Sequence, residues 1–466
     1  MLIAYEWLNE YFHEDLPPPH EVADTLTMHA YEVEEIYKKG EYTLLDIDVL
    51  PNRAADSLSH RGVAREVSTL LKLDMEDTYP KPDVDTEITS GEYINLSIQS
   101  DNVRRATKRL VTDVSVEESN EEIRKKLQAL GHQPINNVVD ATNYIMLATG
   151  QPVHAFDYDK LAGDAPKDIV IREAKAGETI TTLDGKEHTL QEGMLVIADE
   201  KKPLDIAGIK GGMNSHIDED TERIMLSVCS FDPTKIRTAS QALNLRTDAG
   251  KRFENDISPE LPKMAMNYLS ALVQEHAGAN IGADILDAYS QKANEYVTGV
   301  SVRRVNDLLG TDISTEEATR ILERCWCAVT EVAPNEAVAN AAADYVGAEY
   351  ELGASVRFDA PEVFDCSSLV AYIFAHHGGL SIPRMTVDQY VYGAPVDVDA
   401  KQPGDVVFAN TGEGDIHYES KEYMPGTEVP EGVDHCGIYL GDGQVIHTNT
   451  DAKVVIDQLD ESSQFT

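Results

Sequence analysis

The sequence predicts an α+β protein of several domains. Its 466 residues exceed the length of one ordinary domain, and 42% of them are hydrophobic, as in globular proteins. Apolar residues at helical spacing alternate along the chain with short strand-like runs bounded by Gly and Asp turns. A Pro-containing stretch at residues 79–85 predicts a linker, and Pro334 with the Ala-rich segment after it predicts a second boundary.

These boundaries divide the chain into successive segments. In the first, residues 21–28 and 59–73 have helical spacing and residues 43–50 alternate as a strand. The segment from residue 296 begins with helical patterns near residues 305–310 and 314–325 and then breaks off. The predicted units are an N-terminal domain (1–78), a large α+β domain (86–295), the interrupted start of a further domain (296–332) and a C-terminal α+β domain (335–466) that is truncated at its C-terminal end.

Charge and composition restrict the class of protein. The chain carries 82 acidic residues against 39 Lys and Arg, a formal net charge of −43, which taken alone argues against a polyanionic partner. The acids occur in every segment, so we interpret them as solvated faces that leave local basic patches free to act. Residues 1–10 lack the basic start of a signal peptide, and no apolar run approaches the about 20 residues of a membrane span. We therefore expect a cytoplasmic protein without a membrane partner.

The cysteines predict neither disulfides nor a metal site. The chain has 5 of them, an odd number, and Cys325 and Cys327 are too close together for a usual zinc half-site. Cys366 has a different setting, because Leu369, Val370 and Ile373 follow it at helical spacing. A thiol in the first turn of a helix favours the thiolate, since the helix N-terminus carries partial positive charge. The alternative is a packed, inert cysteine, the commoner fate of this residue type.

Two histidines follow on adjacent predicted strands. His435 begins an alternating run that ends at a Gly-Asp-Gly turn at residues 441–443, and His447 lies on the return strand. A hairpin would bring the imidazoles together as a base and the group that orients it. Because successive strand side chains point to opposite sides, we expect Cys436 to pack away from the nucleophile.

The C-terminal segment resembles the NlpC-type family of papain-like cysteine peptidases. The resemblance covers about residues 340–460 and rests on Tyr350 before a Gly loop, Phe-Asp-Cys-Ser-Ser at 364–368, Pro-Gly-Asp-Val-Val-Phe at 403–408 and His-x-Gly-Ile-Tyr-Leu-Gly at 435–441. It implies that Cys366 attacks an amide carbonyl, that His435 is the general base and that His447 orients it. It also implies that Tyr350 and the backbone amide of Cys366 bind the oxyanion, and that the substrate is a peptide.

The front of the chain, about residues 1–332, resembles the β chain of phenylalanyl-tRNA synthetases. Separate blocks follow that family in order, at residues 26–34, 51–66, 137–144, 150–157, 207–212 and 246–254. Residues 86–295 would then be the family's editing-type domain, which hydrolyses tyrosine wrongly esterified to phenylalanine tRNA. Between residues 35 and 51 there is no room for the oligonucleotide-binding-type module that many bacterial relatives carry there.

The resemblance assigns an editing pocket to polar and small residues of the large domain. Gly208, Gly211, Gly212 and Ala249 would let backbone amides approach a ligand, and Asn143, His154 and Thr247 would orient the ester or a water. Without the resemblance, the same residues fit turn glycines and capping or core-bonded side chains. Ser227 stands where the family has a glutamate that accepts the tyrosine hydroxyl, so we expect weaker hydroxyl selection.

These resemblances imply a ligase fragment that carries a cysteine peptidase-like insert. Its partners would be a phenylalanyl-tRNA synthetase α subunit and phenylalanine tRNA, with aminoacylation performed by the complex. ATP and magnesium are implied for that holoenzyme only, since no phosphate loop or metal-binding motif occurs in this chain. The alternatives are a cysteine peptidase or amidase docked through a synthetase-derived platform, and a silent insert that acts as a structural spacer.

Overall fold

The computed structural model describes residues 1–293, 302–331, 334–409, 411, 433–449, 453–459 and 465. The chain forms two compact units, Met1–Asn294 and Glu295–Thr466. Both units combine helices with β-sheets, which confirms the predicted α+β class with more than one domain. The predicted opening of the further domain, at residues 296–301, lies outside the described residues.

The first domain is built on an antiparallel sheet of three strands in the order β1-β3-β2. The helices predicted at residues 21–28 and 59–73 and the strand at 43–50 are confirmed. Their apolar residues, among them Val22, Leu26 and Val63, form one core because helical spacing places them on one face. The elements are β1 (Leu2–Ala4), α1 (Tyr5–Asn9), α2 (Pro19–His29), β2 (Glu32–Lys39), β3 (Tyr42–Asp48), α3 (Ala54–Ser57) and α4 (His60–Leu71).

The large domain contains two main sheets. One has the order β13-β12-β11-β8-β5, and the other has the order β4-β15-β6-β14-β7, with β16 also paired to β6. The strands are β4 (Val84–Asp85), β5 (Ile94–Ile98), β6 (Val103–Thr112), β7 (Val153–Asp157), β8 (Lys167–Glu173), β9 (Thr179–Thr181), β10 (Glu187–Thr189), β11 (Leu195–Ala198), β12 (Pro203–Ile206), β13 (Lys210–Gly211), β14 (Ile224–Phe231), β15 (Asn280–Gly282) and β16 (Leu286–Tyr289). The helices are α5 (Glu121–Ala129), α6 (Asn137–Thr149), α7 (Pro233–Leu243), α8 (Asp248–Phe253) and α9 (Leu261–Ala277).

The strand β14 is the centre of this domain. Every residue of it is buried, and it pairs antiparallel with β6 on one side and β7 on the other. Such a strand is covered on both faces, so the polar residues that it carries need partners inside the protein. Ser227 lies at its middle and is opposed by Lys108 on β6 and by His154 on β7.

His60 joins the first domain to the large domain. Its Nε2 accepts a hydrogen bond of 3.1 Å from the Ala4 amide, so its Nδ1 carries the proton and donates over 3.1 Å to the Leu147 carbonyl. Its ring stacks on Trp7, with 4.0 Å between ring centroids. Burial, opposed by the hydrogen bond to Leu147, lowers the pKa of His60 to about 3, so the imidazole is neutral in the folded protein.

The second unit begins with a helix pair and continues into a sheet covered by a helix. The sheet is antiparallel, in the order β19-β20-β21-β22, and Leu369, Val370 and Ile373 of α13 share a core with Ile438 and Ile446. The helices are α10 (Val302–Leu309), α11 (Thr315–Arg324), α12 (Pro334–Ala342), α13 (Cys366–His376) and α14 (Thr386–Tyr392). The strands are β17 (Glu349–Tyr350), β18 (Val363–Phe364), β19 (Val406–Ala409), β20 (His435–Gly441), β21 (Gln444–Thr448) and β22 (Val454–Gln458).

The hairpin and helix predicted around the cysteine and histidines are confirmed. Cys366 is the first residue of α13, and the turn at residues 441–443 joins β20 to β21. In the part of the chain that the structure describes, no helix is both long and apolar enough to cross a membrane.

The His60 contacts predict how stability depends on pH. Below pH 6.5 the unfolded chain takes up a proton at this residue while the folded chain does not, so stability is lost as pH falls from 6.5 towards 3. At pH 5 the loss from His60 is about 2 kcal/mol, at about 1.4 kcal/mol per pH unit. We expect His60→Gln, which can keep both hydrogen bonds without titrating, to reduce the loss of unfolding free energy between pH 7 and 5.

The measurement is urea unfolding followed by Trp7 fluorescence in a Trp326→Phe background, since Trp7 and Trp326 are the 2 tryptophans of the chain. Equal pH slopes with and without the His60→Gln substitution would contradict a neutral, buried His60.

Candidate active site: a thiol, two imidazoles and a carboxylate

Asp365, the residue before α13, holds the N-terminus of this helix. Its Oδ1 accepts a hydrogen bond of 2.7 Å from the Ser368 amide, and the Ser368 hydroxyl accepts one of 2.7 Å from the Asp365 amide. This reciprocal capping box satisfies amides that would otherwise be unpaired at a helix start. It also fixes Cys366 as the first helical residue, where the helix terminus favours an anion.

Arg384 holds the other carboxylate oxygen of Asp365. Its Nη2 donates to Asp365 Oδ2 over 2.6 Å, and its Nη1 donates to Ser367 Oγ over 2.7 Å. The Gly353 amide also donates to Oδ2, over 3.0 Å. Burial alone would raise the pKa of the Asp365 carboxyl, but hydrogen bonds from Arg384 and the Ser368 amide lower it overall. An ionised Asp365 thus ties the start of α13 to two loops.

Two imidazoles and a carboxylate lie in a line behind the thiol. Nε2 of His435 lies 3.0 Å from Nδ1 of His447, and Nε2 of His447 lies 3.0 Å from Oδ2 of Asp457. These residues come from β20, β21 and β22, which are neighbours in the sheet. Since Nε2 of His435 faces His447, Nδ1 of His435 is the nitrogen that can bond the Cys366 sulfur.

The protonation of His447 follows from its surroundings. Burial and then the neighbouring His435 lower its pKa, while the hydrogen bond to Asp457 raises it, and the net shift is downward. A neutral His447 that donates from Nε2 to Asp457 can accept at Nδ1 from His435, although the Thr448 carbonyl also lies 3.0 Å from that Nδ1. With Nε2 of His435 donating to His447, its Nδ1 is the nitrogen that can take the thiol proton, as a general base requires, and the imidazole then carries the charge beside the thiolate.

The sulfur of Cys366 is surrounded by groups that stabilise its anion. Its pKa is lowered to about 4, chiefly by a hydrogen bond with Cys436 and then, against the effect of burial, by hydrogen bonding and charge from His435. Thr386 contributes as well, with its Oγ1 3.6 Å from the sulfur. At neutral pH the residue is therefore a thiolate, the reactive form of cysteine.

Tyr350, which the sequence predicts as an oxyanion donor, lies on β17 and pairs with Phe364, two residues before Cys366. Burial raises the pKa of its hydroxyl, and the negative charges of Cys366 and Asp365 raise it further. The hydroxyl therefore keeps its proton at neutral pH and can donate a hydrogen bond close to the thiolate. The structure brings Cys366, His435, His447 and Tyr350 together, as the sequence predicts for one site.

Cys436 packs in the core, as the sequence predicts. It is fully buried under α13, where its thiol donates to Gln389 Oε1 over 3.5 Å and lies 3.9 Å from the Thr386 hydroxyl, which also contacts the Cys366 sulfur. Its neighbour His435 is half-buried, and both residues are in antiparallel register with β19, opposite Phe408 and Ala409. Successive side chains of a paired strand point to opposite faces.

Sequence reasoning missed several groups of this site. Asp457 could have been predicted, because the sequence shows an acid after an apolar strand run, next to the strand of His447. No sequence pattern indicates Arg384 or Thr386, because their contacts with the start of α13 arise only when a separate segment folds against it.

The predicted editing residues gather around β14 in the large domain. Ser227 is in register with His154 on β7. The His154 ring lies over Gly211, where a Cβ atom would come within 2.7 Å of Cε1, so only glycine leaves room for the imidazole. Burial, followed by the charge of Lys108, lowers the pKa of His154 to about 4, and its imidazole is therefore neutral at pH 7.

Lys108 and Asp205 add buried charge that sequence reasoning missed. Lys108 is fully buried, its Nζ donates to Ser227 Oγ, and it lies 3.6 Å from Cys229 Sγ. Asp205 on β12 is buried with its Oδ1 unpaired among the described residues, and burial, opposed by Lys108, raises the pKa of its carboxyl to about 7. A buried polar cluster with an unpaired atom is unusual in a purely structural core.

The remaining predicted editing residues lie on the loop around β13 and on α8. Thr247 Oγ1 donates to the Ile209 carbonyl over 3.0 Å and accepts from the Gly250 amide over 2.9 Å, so it caps α8 against that loop. Gly208 has a φ of +71°, and a Cβ there would meet Phe253 at 2.9 Å.

A Cβ at Gly212 would lie 2.8 Å from the Leu204 carbonyl, so this glycine is also held at close approach. Asn143 and Ala249 are half-buried on α6 and α8, and the hydrogen bonds of the cluster include neither of them. The structure thus assembles His154, Gly211 and Ser227, with Thr247 on the adjoining loop.

The thiolate at Cys366 gives a distinctive pH dependence of alkylation. An ordinary thiol has a pKa of about 8.5, so its rate with iodoacetamide rises about tenfold per pH unit between pH 5 and 7. We expect the rate at Cys366 to be nearly constant over that range, because its pKa is lowered to about 4. The exposed Cys325 and Cys327 are internal controls, and peptide mass spectrometry of the reduced full chain distinguishes the sites.

His435→Ala removes the imidazole that faces the sulfur, so we expect a pH-dependent rate in that variant. A wild-type Cys366 whose rate rises tenfold per unit from pH 5 would contradict the thiolate.

Comparisons with known proteins find a family model that matches part of each unit. The model of the B3/4 domain matches residues 102–278, which contain the cluster around β14. The model of the NlpC/P60 family matches residues 347–419, which contain Tyr350 and Cys366.

Similar relatives and solved structures are known for both parts of the chain. The phenylalanine–tRNA ligase β subunit of Carboxydothermus hydrogenoformans is 38% identical over 300 residues, which are 64% of this chain and 37% of that protein. An N-terminal fragment of the phenylalanyl-tRNA synthetase β subunit from Pyrococcus horikoshii is 14% identical, over 72% of this chain and 90% of the fragment, with a TM-score of 0.36. The NlpC/p60 domain of the peptidoglycan hydrolase SagA is 26% identical, over 27% of this chain and 89% of that domain, with a TM-score of 0.21.

The TM-scores of these two structures are low, so the comparison rests on the sequence relationships. The chain spans 37% of the length of the Carboxydothermus β subunit, so it corresponds to part of such a protein. The chain therefore joins a segment that matches the B3/4 domain model and is similar to phenylalanine–tRNA ligase β subunits to a segment that matches the NlpC/P60 family model.

Proposed function

We propose that the first unit works as the N-terminal part of a phenylalanine–tRNA ligase β chain in the cytoplasm. The observation that carries this proposal is the 38% identity over 300 residues to a β subunit. The chain would contribute to aminoacylation by binding an α subunit and phenylalanine tRNA. ATP and magnesium would be bound by the assembled ligase, and none of the residues described above is assigned to them.

The cluster around β14 supports a hydrolytic role towards mischarged tRNA. The neutral His154 imidazole and the Thr247 hydroxyl could orient an aminoacyl ester or a water, and the glycines of the loop could present backbone amides to it. Ser227 already accepts a hydrogen bond from Lys108, so it offers a tyrosine hydroxyl less acceptor capacity than a free carboxylate would. We therefore propose editing of tyrosyl-tRNA with weakened selection for the phenol hydroxyl.

The second unit supports a further activity, a thiol-dependent amidase or peptidase. The observation that favours it is the continuous line from the Cys366 sulfur through His435 and His447 to Asp457. A nucleophile, a base and an orienting group in contact are what acyl transfer requires. The Asp457 carboxylate, by accepting from Nε2 of His447, would keep the proton of that imidazole on Nε2.

The chemistry would proceed in two steps. The Cys366 sulfur attacks the amide carbon, a C–S bond forms, and the backbone amide of Cys366 and the Tyr350 hydroxyl stabilise the oxyanion. The C–N bond then breaks as His435, protonated by the original thiol, gives its proton to the leaving amine. Water attacks the thioester with His435 as base, and the sulfur leaves as the thiolate.

Two other roles for the second unit follow from the same fold. The synthetase-like portion could serve as a docking platform for the amidase, or the NlpC/P60 domain could be a silent spacer. An activated thiolate at Cys366 argues against the spacer, because an inert packed cysteine has no need of a lowered pKa.

Co-purification tests the ligase proposal. We expect the full chain, co-expressed with the phenylalanine–tRNA ligase α subunit of the same genome, to retain that subunit and phenylalanine tRNA on affinity purification. Low and physiological salt are both used, because the chain carries a net charge of −43 and salt weakens tRNA contacts. The matched control is Cys366→Ala, which should retain both partners equally, since it alters only the second unit.

Loss of both partners at either salt concentration would contradict the ligase proposal and favour the docking platform. The retained complex also tests editing: hydrolysis of tyrosyl-tRNA above background should occur, and His154→Ala should abolish it while Cys366→Ala does not. If the wild-type complex hydrolyses tyrosyl-tRNA no faster than background, the editing proposal fails and the ligase proposal stands.

A further inference from the structure

The side chain of Phe465 lies against the two imidazoles of the candidate active site. Phe465 forms an antiparallel β-bridge with Ala409, the last residue of β19. Ala409 is in turn directly opposite His435, the first residue of β20. Residues that are directly opposite in neighbouring strands share a face of the sheet. Phe465 and His435 therefore lie on one face, with only the methyl group of Ala409 between them.

Three rings contact one another at this place. The ring centroid of Phe465 lies 5.4 Å from that of His435 and 5.0 Å from that of His447, and the two imidazole centroids are 5.2 Å apart. Favourable aromatic pairs have centroids about 4.5 to 7 Å apart. The Phe465 ring is inclined by 47° to the His435 ring and by 73° to the His447 ring. A single planar group thus contacts both imidazoles.

An apolar cluster on the same face of the sheet holds the Phe465 ring. Tyr439 lies an even number of residues from His435 on β20, so strand alternation places it on the face that carries the imidazoles. The cluster consists of Val407, Tyr439 and Val445, with Leu459 and Phe465 packed against it. The ring is therefore anchored to the sheet by contacts other than those with the imidazoles.

The mechanism above needs one orientation of the His435 imidazole. Its Nε2 must face Nδ1 of His447, which lies 3.0 Å away, while its Nδ1 faces the Cys366 thiol. A half-turn of the ring would exchange the positions of its nitrogen and carbon atoms and break both contacts. The ring of Phe465 packs beside this imidazole at the start of β20, and close packing of this kind opposes such a rotation.

We propose that Phe465 is a positioning residue of the candidate active site: its ring packs against His435 and His447 together and holds the His435 imidazole in the orientation that serves the Cys366 thiol. The inference rests on the proposed thiol chemistry of the second unit. The phenyl side chain carries no charge and no hydrogen-bonding group, so it affects the thiol through the imidazoles that it contacts.

The charged and titratable groups around the imidazoles and the thiol come from several elements. Asp457 on β22 faces His447, and Asp434 directly precedes His435. On the side of the thiol, the groups among the described residues are Tyr350, Asp365, Arg384 and Cys436. A substitution at Phe465 leaves all of them in the chain, so a change in the pH dependence of the thiol reports the orientation of His435.

The test is the pH dependence of Cys366 alkylation by iodoacetamide in the reduced full chain. Phe465→Leu keeps an apolar side chain on the cluster but removes the planar ring. We expect it to raise the midpoint of this dependence by about half to one pH unit, because a displaced imidazole stabilises the thiolate less. Phe465→Tyr keeps the ring and should retain the wild-type midpoint. Leu459→Ala is the matched control, because Leu459 belongs to the same apolar cluster, and it should leave the midpoint unchanged.

A double variant separates positioning from packing. In a His435→Ala background the imidazole is absent, so we expect Phe465→Leu to cause no further rise of the midpoint. The inference is overturned by a Phe465→Leu midpoint equal to that of wild type, by an equal shift in Phe465→Tyr or Leu459→Ala, or by a further shift in the double variant. In each of these cases a low wild-type midpoint leaves the proposed thiol chemistry intact.

A wild-type midpoint at the ordinary value for a thiol overturns both the inference and the proposed thiol chemistry. If Phe465→Leu does not fold, nuclear Overhauser contacts in the wild-type chain decide the question. We expect contacts from the ring protons of Phe465 to those of both His435 and His447, and their absence overturns the inference.

Discussion

The carboxylate of Asp365 is the constraint on which the candidate active site depends. One of its oxygens caps α13 and the other accepts from Arg384 and Gly353, so a single group sets the start of the helix and its position against two loops. Asp365 is buried while Arg384 is partly exposed, so losing the arginine would leave an uncompensated charge inside the protein. Without the Asp365 carboxylate the first turn of α13 would fray, and the sulfur of Cys366 would lose its place beside the imidazole.

This local arrangement explains how an anionic nucleophile can exist in a strongly acidic protein. A net charge of −43 opposes any further negative charge, but its field is screened by salt over about 8 to 10 Å. The groups that stabilise the thiolate act at contact, as with Thr386 at 3.6 Å, and most are shielded from water. Contacts in a water-poor environment outweigh a distant, screened field.

The two units use buried polar groups differently. Around β14, Lys108 and Asp205 leave an acceptor unpaired, and a ligand could complete that cluster. Around α13, the buried Cys436 thiol donates to Gln389 Oε1, and the Gln389 amide donates to two backbone carbonyls. An unpaired buried acceptor is suited to recognising a ligand, whereas paired groups hold side chains in place.

The sequence was most predictive where spacing determines structure. The helix after Cys366 and the hairpin with His435 and His447 follow from apolar periodicity and a glycine turn, which act over a few residues. The contacts of Arg384, Lys108 and Thr386 did not follow, because they depend on which separate segments meet after folding.

The charge of the Cys366 sulfur is tested most directly by the absorbance of the thiolate near 240 nm, recorded as a difference between the full chain and Cys366→Ala while pH is lowered. We expect a difference signal at pH 7 that is lost with a midpoint near the pKa of about 4. A difference signal that appears only above pH 8, where an ordinary thiol of pKa about 8.5 ionises, would contradict it.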